Sequence, residues 1–145
     1  MKTGCLVVLG VSMMLCAAAC TRGPKGLSRA RYTAIENGLP ALERAYEYRD
    51  SGAIAFEPRM LDAEHALDEV RASGSNNASG TSAWLIFKSA VESLQIYRRN
   101  LAALIERQNE SGTAFKKINA DRMKMKAEMS EQMAKDISLL KGYLY

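Results

Sequence analysis

The residues SAWLIFKSAVESLQIYRRNLAALIERQNE (82–110), SGT (111–113) and AFKKINADRMKMKAEMSEQMAKDISLLK (114–141) decide the fold. Apolar residues recur every three or four positions in both long segments, which is the pattern of amphipathic helices. Each segment has about 29 residues, which gives about 43 Å of helix at 1.5 Å per residue. Matched lengths around Gly112 predict an antiparallel helical hairpin, in which residues whose numbers sum to about 223 face each other. The alternative that stays open is one continuous helical rod over residues 82–141.

The two predicted hairpin helices carry apolar faces of different composition. The first face holds Trp84, Phe87, Val91, Leu94, Leu101 and Ile105, widened by Ile86, Tyr97 and Leu104. The second holds Phe115, Ile118, Met125, Met129, Met133, Leu140 and Leu144, with Met123 off the stripe. A methionine-rich face at helical spacing serves either as core or as an adaptable groove for a partner. The sequence leaves both interpretations open.

Two shorter helices are predicted before the hairpin. Gly38 and Pro40 interrupt the first, which predicts a kink or a restart. Pro58 suits the first turn of the second, and the polar, glycine-rich residues 73–80 predict a loop. No strand pattern occurs, so the fold class predicted is all-α, a small helical bundle built around a long antiparallel hairpin. The single helical domain covers 27–145, with helices at about 27–50, 58–72, 82–110 and 114–141.

Ahead of this domain, an apolar run follows Lys2 and ends at Cys20. A basic residue, an apolar stretch of 7–15 residues and small residues before a cut are typical of a secretory signal. The stretch Ala17-Ala18-Ala19-Cys20 resembles the lipobox of bacterial lipoproteins. That resemblance implies a cleaved signal peptide over residues 1–19, lipid attachment at Cys20 and a short tether over 20–26.

The same resemblance implies a location in the bacterial cell envelope, with the membrane contacted through the lipid anchor. Thr21 is not aspartate, which under the enteric sorting rule implies the outer membrane, facing the periplasm, in a Gram-negative host. Two alternatives stay open: a cut that releases a soluble protein, and an uncleaved membrane anchor, which needs about 20 apolar residues. The cysteine count favours the lipoprotein, because Cys5 and Cys16 would leave with the signal and Cys20 alone would remain.

Charge and the single histidine limit the chemistry that the chain offers. The formal net charge is +4, and basic residues interleave with acidic ones, so no nucleic-acid partner is predicted. His65 falls opposite the apolar stripe of its own helix, which predicts a surface residue without a catalytic role. The sequence offers no nucleophile–base pair, metal-ligand cluster or cofactor motif, so neither an enzyme nor a cofactor is predicted.

Charged residues interrupt both hairpin faces. Arg98 lies between Leu94 and Leu101, and Arg122 and Asp136 break the second stripe. The hairpin register brings the two arginines within a turn of each other, where they need carboxylates or an anionic ligand. A structural ion pair, snorkelling along apolar neighbours and a ligand or partner site all remain open.

The function predicted from these features is that of a lipid-anchored envelope protein acting as a structural or protein-interaction module, with a protein partner in the envelope. The alternative is a binder or sensor of a small anionic or apolar ligand, held in the bundle by Arg98 and Arg122.

Overall fold

Four helices follow one another in this computed structural model, which describes residues 24–74, 77–107 and 112–145. After a short 3-10 turn at Pro24–Gly26, the helices are α1 (Arg29–Glu47), α2 (Ala53–Ala72), α3 (Ala78–Glu106) and α4 (Thr113–Leu144). The described residues contain no β-strand, so the predicted all-α class is confirmed. The signal peptide, Cys20, most of the tether and residues 108–111 lie outside the described residues.

Side-chain caps set where two helices begin. Ser28 accepts a hydrogen bond from the Arg31 backbone N–H at 3.1 Å, so α1 begins at Arg29 and not at 27. Asn77 Oδ1 accepts one from the Gly80 backbone N–H at 2.6 Å, so α3 begins at Ala78. The predicted start at 82 is therefore wrong, and the last part of the predicted loop over 73–80 is helical. The end of α1 at Glu47 also precedes the predicted end at 50.

Both prolines predicted near helix breaks lie inside helices. α1 continues through Gly38 and Pro40, so the predicted restart does not occur. α2 begins at Ala53, which places Pro58 in its second turn and corrects the predicted start at 58. Each proline removes one backbone donor from its helix. Both rings are exposed, so the helices accommodate them on the side that faces water.

α3 and α4 form the predicted antiparallel hairpin. Lys126 Nζ lies 5.0 Å from the centre of the Tyr97 ring, and the two residue numbers sum to about 223, the predicted register. Gly112 precedes α4 with a φ of 149°, which residues with a side chain rarely adopt.

α1 and α2 form a second helical pair that packs on the hairpin. Lys141 on α4 forms an ion pair with Glu43 on α1 at 2.6 Å. Gln95 on α3 donates a hydrogen bond to Glu64 on α2 at 2.7 Å. The fold is therefore two helical pairs in contact, with the shorter pair covering one part of the longer one.

Among the described residues, the hydrophobic core lies where all four helices meet, a region we call the body. Buried apolar residues on α3 end at Tyr97, and those on α4 begin at Met133. Helix length explains this limit. α1 and α2 have 19 and 20 residues, whereas α3 and α4 have 29 and 32, so about 15 Å of the hairpin extends past the shorter pair. The largest fully buried side chains are Phe56, Phe87, Leu27, Ile35, Leu42, Leu94, Met133, Leu140, Val70 and Val91.

Beyond the body, the hairpin continues as a two-helix projection. We call residues 98–107 and 113–127 the hairpin arm. None of them is buried: Ile118 is 43% exposed, Met125 45% and Ile105 56%. The apolar stripes predict burial along the whole hairpin, and for the arm that prediction is wrong, because α1 and α2 do not extend along it and only the start of α2 borders it, beside Leu101 and Ile105.

Gly38 allows α1 to approach its neighbours closely within the body. A Cβ atom built there would lie 2.9 Å from Ala66 Cβ and 3.3 Å from Phe87 Cζ. The first distance is shorter than real Cβ contacts, so any side chain at this position would push α1 away from α2. Gly142, in the last turns of α4, has no such neighbour within 4 Å.

Alanine at the two glycines should change stability in opposite directions. Gly38→Ala should lower the free energy of unfolding by about 1 kcal/mol, because overpacking by about 1–3 kcal/mol outweighs the better helix propensity of alanine. Gly142→Ala should raise it by about 0.5 kcal/mol, since the propensity gain is unopposed. Urea denaturation of both variants measures the two shifts, and stabilisation by Gly38→Ala would show that the helices are not in close contact there.

Candidate functional site

The junction between body and arm is held by a polar cluster around Asp50, in the loop between α1 and α2. Asp50 accepts a hydrogen bond from the Tyr97 hydroxyl and forms an ion pair with Lys126 at 2.9 Å. Arg49 Nε lies 3.7 Å from the same carboxylate, and its guanidinium stacks 4.2 Å from the Tyr46 ring centre. One carboxylate thus joins the end of α1 to both helices of the hairpin.

The charges of this cluster stabilise one another. Burial raises the pKa of Asp50, but hydrogen bonds from Tyr97 and Lys126, with the positive charges of Lys126 and Arg49, outweigh burial and lower that pKa below its ordinary value. Burial and the hydrogen bond to Asp50 raise the pKa of Tyr97. Burial lowers the pKa of Lys126, while Asp50 and Tyr97 raise it to a net value above the ordinary one. The pKa values of Asp50, Tyr97 and Lys126 are all shifted away from neutrality, so the ionisation state of the cluster does not change near neutral pH.

Arg98 fixes the loop between α1 and α2 against α3. Its Nη1 donates hydrogen bonds to the backbone carbonyls of Arg49, at 3.0 Å, and Ser51, at 2.8 Å. Its guanidinium lies 4.2 Å from the centre of the Phe56 ring. The charge in the apolar face is therefore satisfied by carbonyl oxygens and an aromatic face. Among the described contacts, no carboxylate pairs with it.

Arg122 differs from Arg98 in its surroundings. It is half-buried on α4 within the arm, and its Nη1 has no hydrogen-bond partner among the described residues. No hydrogen bond or ion pair of the described chain links it to the loop that Arg98 binds. The structure thus gives Arg98 a bonding role at the junction and leaves Arg122 as an unpaired cation along the apolar stripe of the arm.

His65, Asp136 and Arg31 lie outside the arm. His65 is exposed on α2, as its place on the helical wheel predicts. Asp136 is 3% exposed in the body, where Gln132 donates a hydrogen bond to its Oδ1 at 2.8 Å. Arg31 is 4% exposed, and burial lowers its pKa. Cys20, the predicted lipidation site, lies outside the described residues.

The charge of the described chain is unevenly distributed. The arm holds eight basic and two acidic residues, a net charge of +6, while the rest of the described residues hold ten basic and thirteen acidic ones, a net charge of −3. The predicted interleaving of charges holds for the body and is wrong for the arm. The basic residues of the arm are Arg98, Arg99, Arg107, Lys116, Lys117, Arg122, Lys124 and Lys126.

Apolar side chains are exposed among these charges. Met123 is 55% exposed and Ile54, at the start of α2 beside the arm, is 96% exposed. The methionine stripe divides along α4, since Met133 is 1% exposed and belongs to the core while Met125 lies at the surface. The core interpretation of this stripe therefore holds at Met133, and Met125 lies outside the core.

Two shallow grooves run along the arm. One, of about 260 Å³, lies between the start of α2 and α3 and is lined in part by Ala53, Leu101 and Ile105. The other, of about 220 Å³, lies between α3 and α4 and is lined in part by Met123 and Lys126. The charged residues in the linings are Arg98 and Glu106 in the first groove and Lys126 in the second.

A third groove, of about 400 Å³, lies between α2 and α3 where the body meets the arm. Its lining has both charge signs, with Arg98 and Arg99 beside Glu57 and Glu64. Because Arg98 is already bonded to two carbonyls, Arg99 is the arginine of this groove without a described bond. The balanced charge gives the groove little preference for an anion.

Among the described residues, none of the helices has the length and apolar character needed to cross a membrane. No group of three or more His, Cys, Asp or Glu residues in the described chain is arranged to hold a metal ion. The chain matches no known family model, no curated protein and no solved structure. Its function therefore has to be inferred from its own residues.

Proposed function

We propose that the chain is a lipid-anchored helical protein of the bacterial cell envelope, and that its hairpin arm is the contact surface for a protein partner. The observation that carries the proposal is the absence of any buried residue in the arm, although apolar stripes run along both of its helices. Exposed apolar patches rimmed by polar residues mark interaction sites in soluble domains. The proposed location is the outer membrane, facing the periplasm, in a Gram-negative host.

The start of the described chain and the hairpin arm lie at opposite ends of the molecule, which suits a lipid anchor at one end and a partner contact at the other. The described chain starts at the end where α3 begins and α4 finishes: Lys25 donates a hydrogen bond to the Gly142 carbonyl, and Asn77 Nδ2 donates one to the Gly26 carbonyl at 2.7 Å. Three residues separate Cys20 from Pro24, and the four steps between their Cα atoms reach at most about 14 Å. The far end of α3 lies about 43 Å away along its helix. A lipid at Cys20 would hold the body near the membrane and leave the arm free to project.

Binding of a small ligand has less support as a function. Arg98 and Arg122, the residues on which that alternative depends, have no described contact with each other, and the groove beside Arg98 has carboxylates in its lining. The uncovered arm has no role under that alternative, whereas partner binding uses it directly.

The anchor is tested by the matched variants Cys20→Ser and Cys16→Ser in the full chain. Cys20→Ser should move the protein from the membrane fraction to the soluble fraction, because the acylated sulfur is removed. Cys16→Ser should leave fractionation unchanged, because that residue lies in the discarded signal. Intact-mass measurement of membrane-extracted protein should show residues 1–19 lost and acyl mass gained. Retention of Met1 would contradict cleavage and with it the lipid anchor.

The contact surface is tested by placing a photo-cross-linking amino acid at Met123 or at Leu61, one at a time. The two sites are equally exposed, at 55% and 56%, but Leu61 lies on α2 in the body. In cells, Met123 should give a protein adduct and Leu61 should not. Equal adduct yields, or none from Met123, would contradict a partner site on the arm.

A further inference from the structure

The arm continues the apolar stripes that α1 and α2 cover within the body. On α4 the buried Met133 is followed outward by Met129, which is half-buried, and then by Met125 and Ile118, which are both exposed. On α3 the buried Leu94 is followed by Leu101, which is half-buried. A surface that is covered by helices along one half has the ridges and grooves to accept a helix along the other.

The charge of the arm indicates which kind of helix could pack on it. The net charge of +6 over the arm contrasts with −3 over the remaining described residues. Arg122 brings an unpaired guanidinium into the apolar stripe itself. At the junction, the carboxylate of Asp50 already pairs with Lys126 of the arm at 2.9 Å. We infer that the arm binds a partner protein through an acidic amphipathic helix, which extends the bundle beyond α1 and α2.

A second copy of this chain fits the arm less well than an acidic partner does. Copies held in one membrane at Cys20 would stand side by side, with each arm next to another arm. Two surfaces of net charge +6 at close range repel each other unless they are screened by salt. This step, like the inference as a whole, rests on the proposed anchoring and partner binding.

The anionic membrane surface is the other negatively charged candidate. The arm presents concave grooves with apolar floors, of about 220 and 260 Å³, whereas a bilayer presents a flat surface to an interfacial helix. Grooves of this size accept individual side chains from a facing helix. The shape of the arm therefore favours a protein helix over a lipid surface.

Charge reversal on the arm tests the inference against a matched control in the full chain. The arm variant combines Lys116→Glu, Lys117→Glu and Lys124→Glu, and the body variant combines Arg29→Glu, Arg44→Glu and Arg71→Glu. All six side chains are exposed, so both variants should keep the helical circular dichroism of the parent protein. They change the net charge equally, so any difference between them comes from where the charge lies.

Two measurements apply to these variants. The first is the yield of the Met123 adduct in cells, with the cross-linked partner peptide sequenced. The second is the affinity of the purified, membrane-extracted protein for a synthetic amphipathic helix of leucine and glutamate. The adduct yield and this affinity should each fall about tenfold in the arm variant and stay within about twofold in the body variant, and the affinity should weaken as salt is raised. Binding of the purified parent protein to vesicles of phosphatidylglycerol and phosphatidylcholine is measured alongside.

Each outcome has a distinct meaning. A partner peptide rich in Asp and Glu, lost in the arm variant alone, supports the inference. A non-acidic partner peptide, or an adduct that both variants keep, overturns the inference and leaves the proposed partner site intact. An adduct to a second copy of this chain overturns it in favour of self-association. Binding to vesicles of phosphatidylglycerol and phosphatidylcholine, without a protein adduct from Met123, overturns the inference and the proposed function together.

Discussion

Leu140→Ala should lower the free energy of unfolding by about 3–5 kcal/mol, while Leu139→Ala should change it by no more than about 0.5 kcal/mol. Leu140 is completely buried, and its neighbour on the same helix is 54% exposed. The substitution removes the same atoms in each case. Only at Leu140 does it leave a cavity in the core, where contacts are lost and water does not fill the space.

Urea denaturation followed by circular dichroism at 222 nm measures both changes. Leu139→Ala is the control for helix propensity, because both variants place alanine in the same part of α4. Equal losses from the two variants would mean that the face of α4 assigned to the core is wrong. A loss below about 1 kcal/mol at Leu140 would mean that the body is loosely packed around α4.

Arg98→Leu should lower the free energy of unfolding by about 2 kcal/mol. Hydrogen bonds from a charged donor contribute about 1.5–3 kcal/mol, and Arg98 gives two of them, to the carbonyls of Arg49 and Ser51. Leucine keeps the apolar contact with Phe56 but leaves both carbonyls without their donor. The loop between α1 and α2 should therefore be released from α3.

The adjacent Arg99→Leu is the matched control. Arg99 is exposed, so its replacement should change stability by less than about 0.5 kcal/mol. The same urea titrations compare the two variants. A neutral or stabilising Arg98→Leu would show that the side chain merely snorkels along its neighbours. Unchanged stability with loss of the cellular phenotype would instead assign Arg98 to a ligand or partner.

The hairpin could be predicted from the sequence because its determinants are local. The helical spacing of apolar residues and the glycine at 112 give two helices that fold back, and the facing positions of Tyr97 and Lys126 follow from counting outward from the turn. The contact of Asp50 with Tyr97 and Lys126 could not be predicted. Its position depends on where α1 ends and on how α1 packs, and neither is encoded by spacing along the hairpin.

The arm could not be predicted from the apolar pattern, because the pattern does not show what covers it. Met125 and Met133 occupy similar positions on the helical wheel, but only Met133 is buried. The difference comes from the lengths of α1 and α2, whose boundaries could be predicted from the sequence only approximately. The observed boundaries differ from the predicted ones because Ser28 caps α1 at Arg29 and because α2 begins at Ala53, which places Pro58 in its second turn.

The hydrogen-bond acceptors of Arg98 could not be predicted from the sequence either. A charge in an apolar face suggests a carboxylate partner, and the sequence contains several candidates. The actual acceptors are backbone carbonyls, which every residue carries and which therefore cannot be identified from residue type. The basic character of the arm, by contrast, was readable. Counting charges over residues 98–127 separately, and not over the whole chain, would have shown it.

In this protein the length of the arm and the folding of the body do not depend on each other, although length and folding are usually coupled. None of the described residues of the arm is buried, so lengthening the hairpin at its tip would create no new packing problem in the body. Adding seven residues to each helix would extend the projection by about 10 Å and keep the apolar seam on the same side. Natural selection could therefore change the distance between membrane and partner by adding or removing helical turns of the arm. The body would continue to determine whether the chain folds.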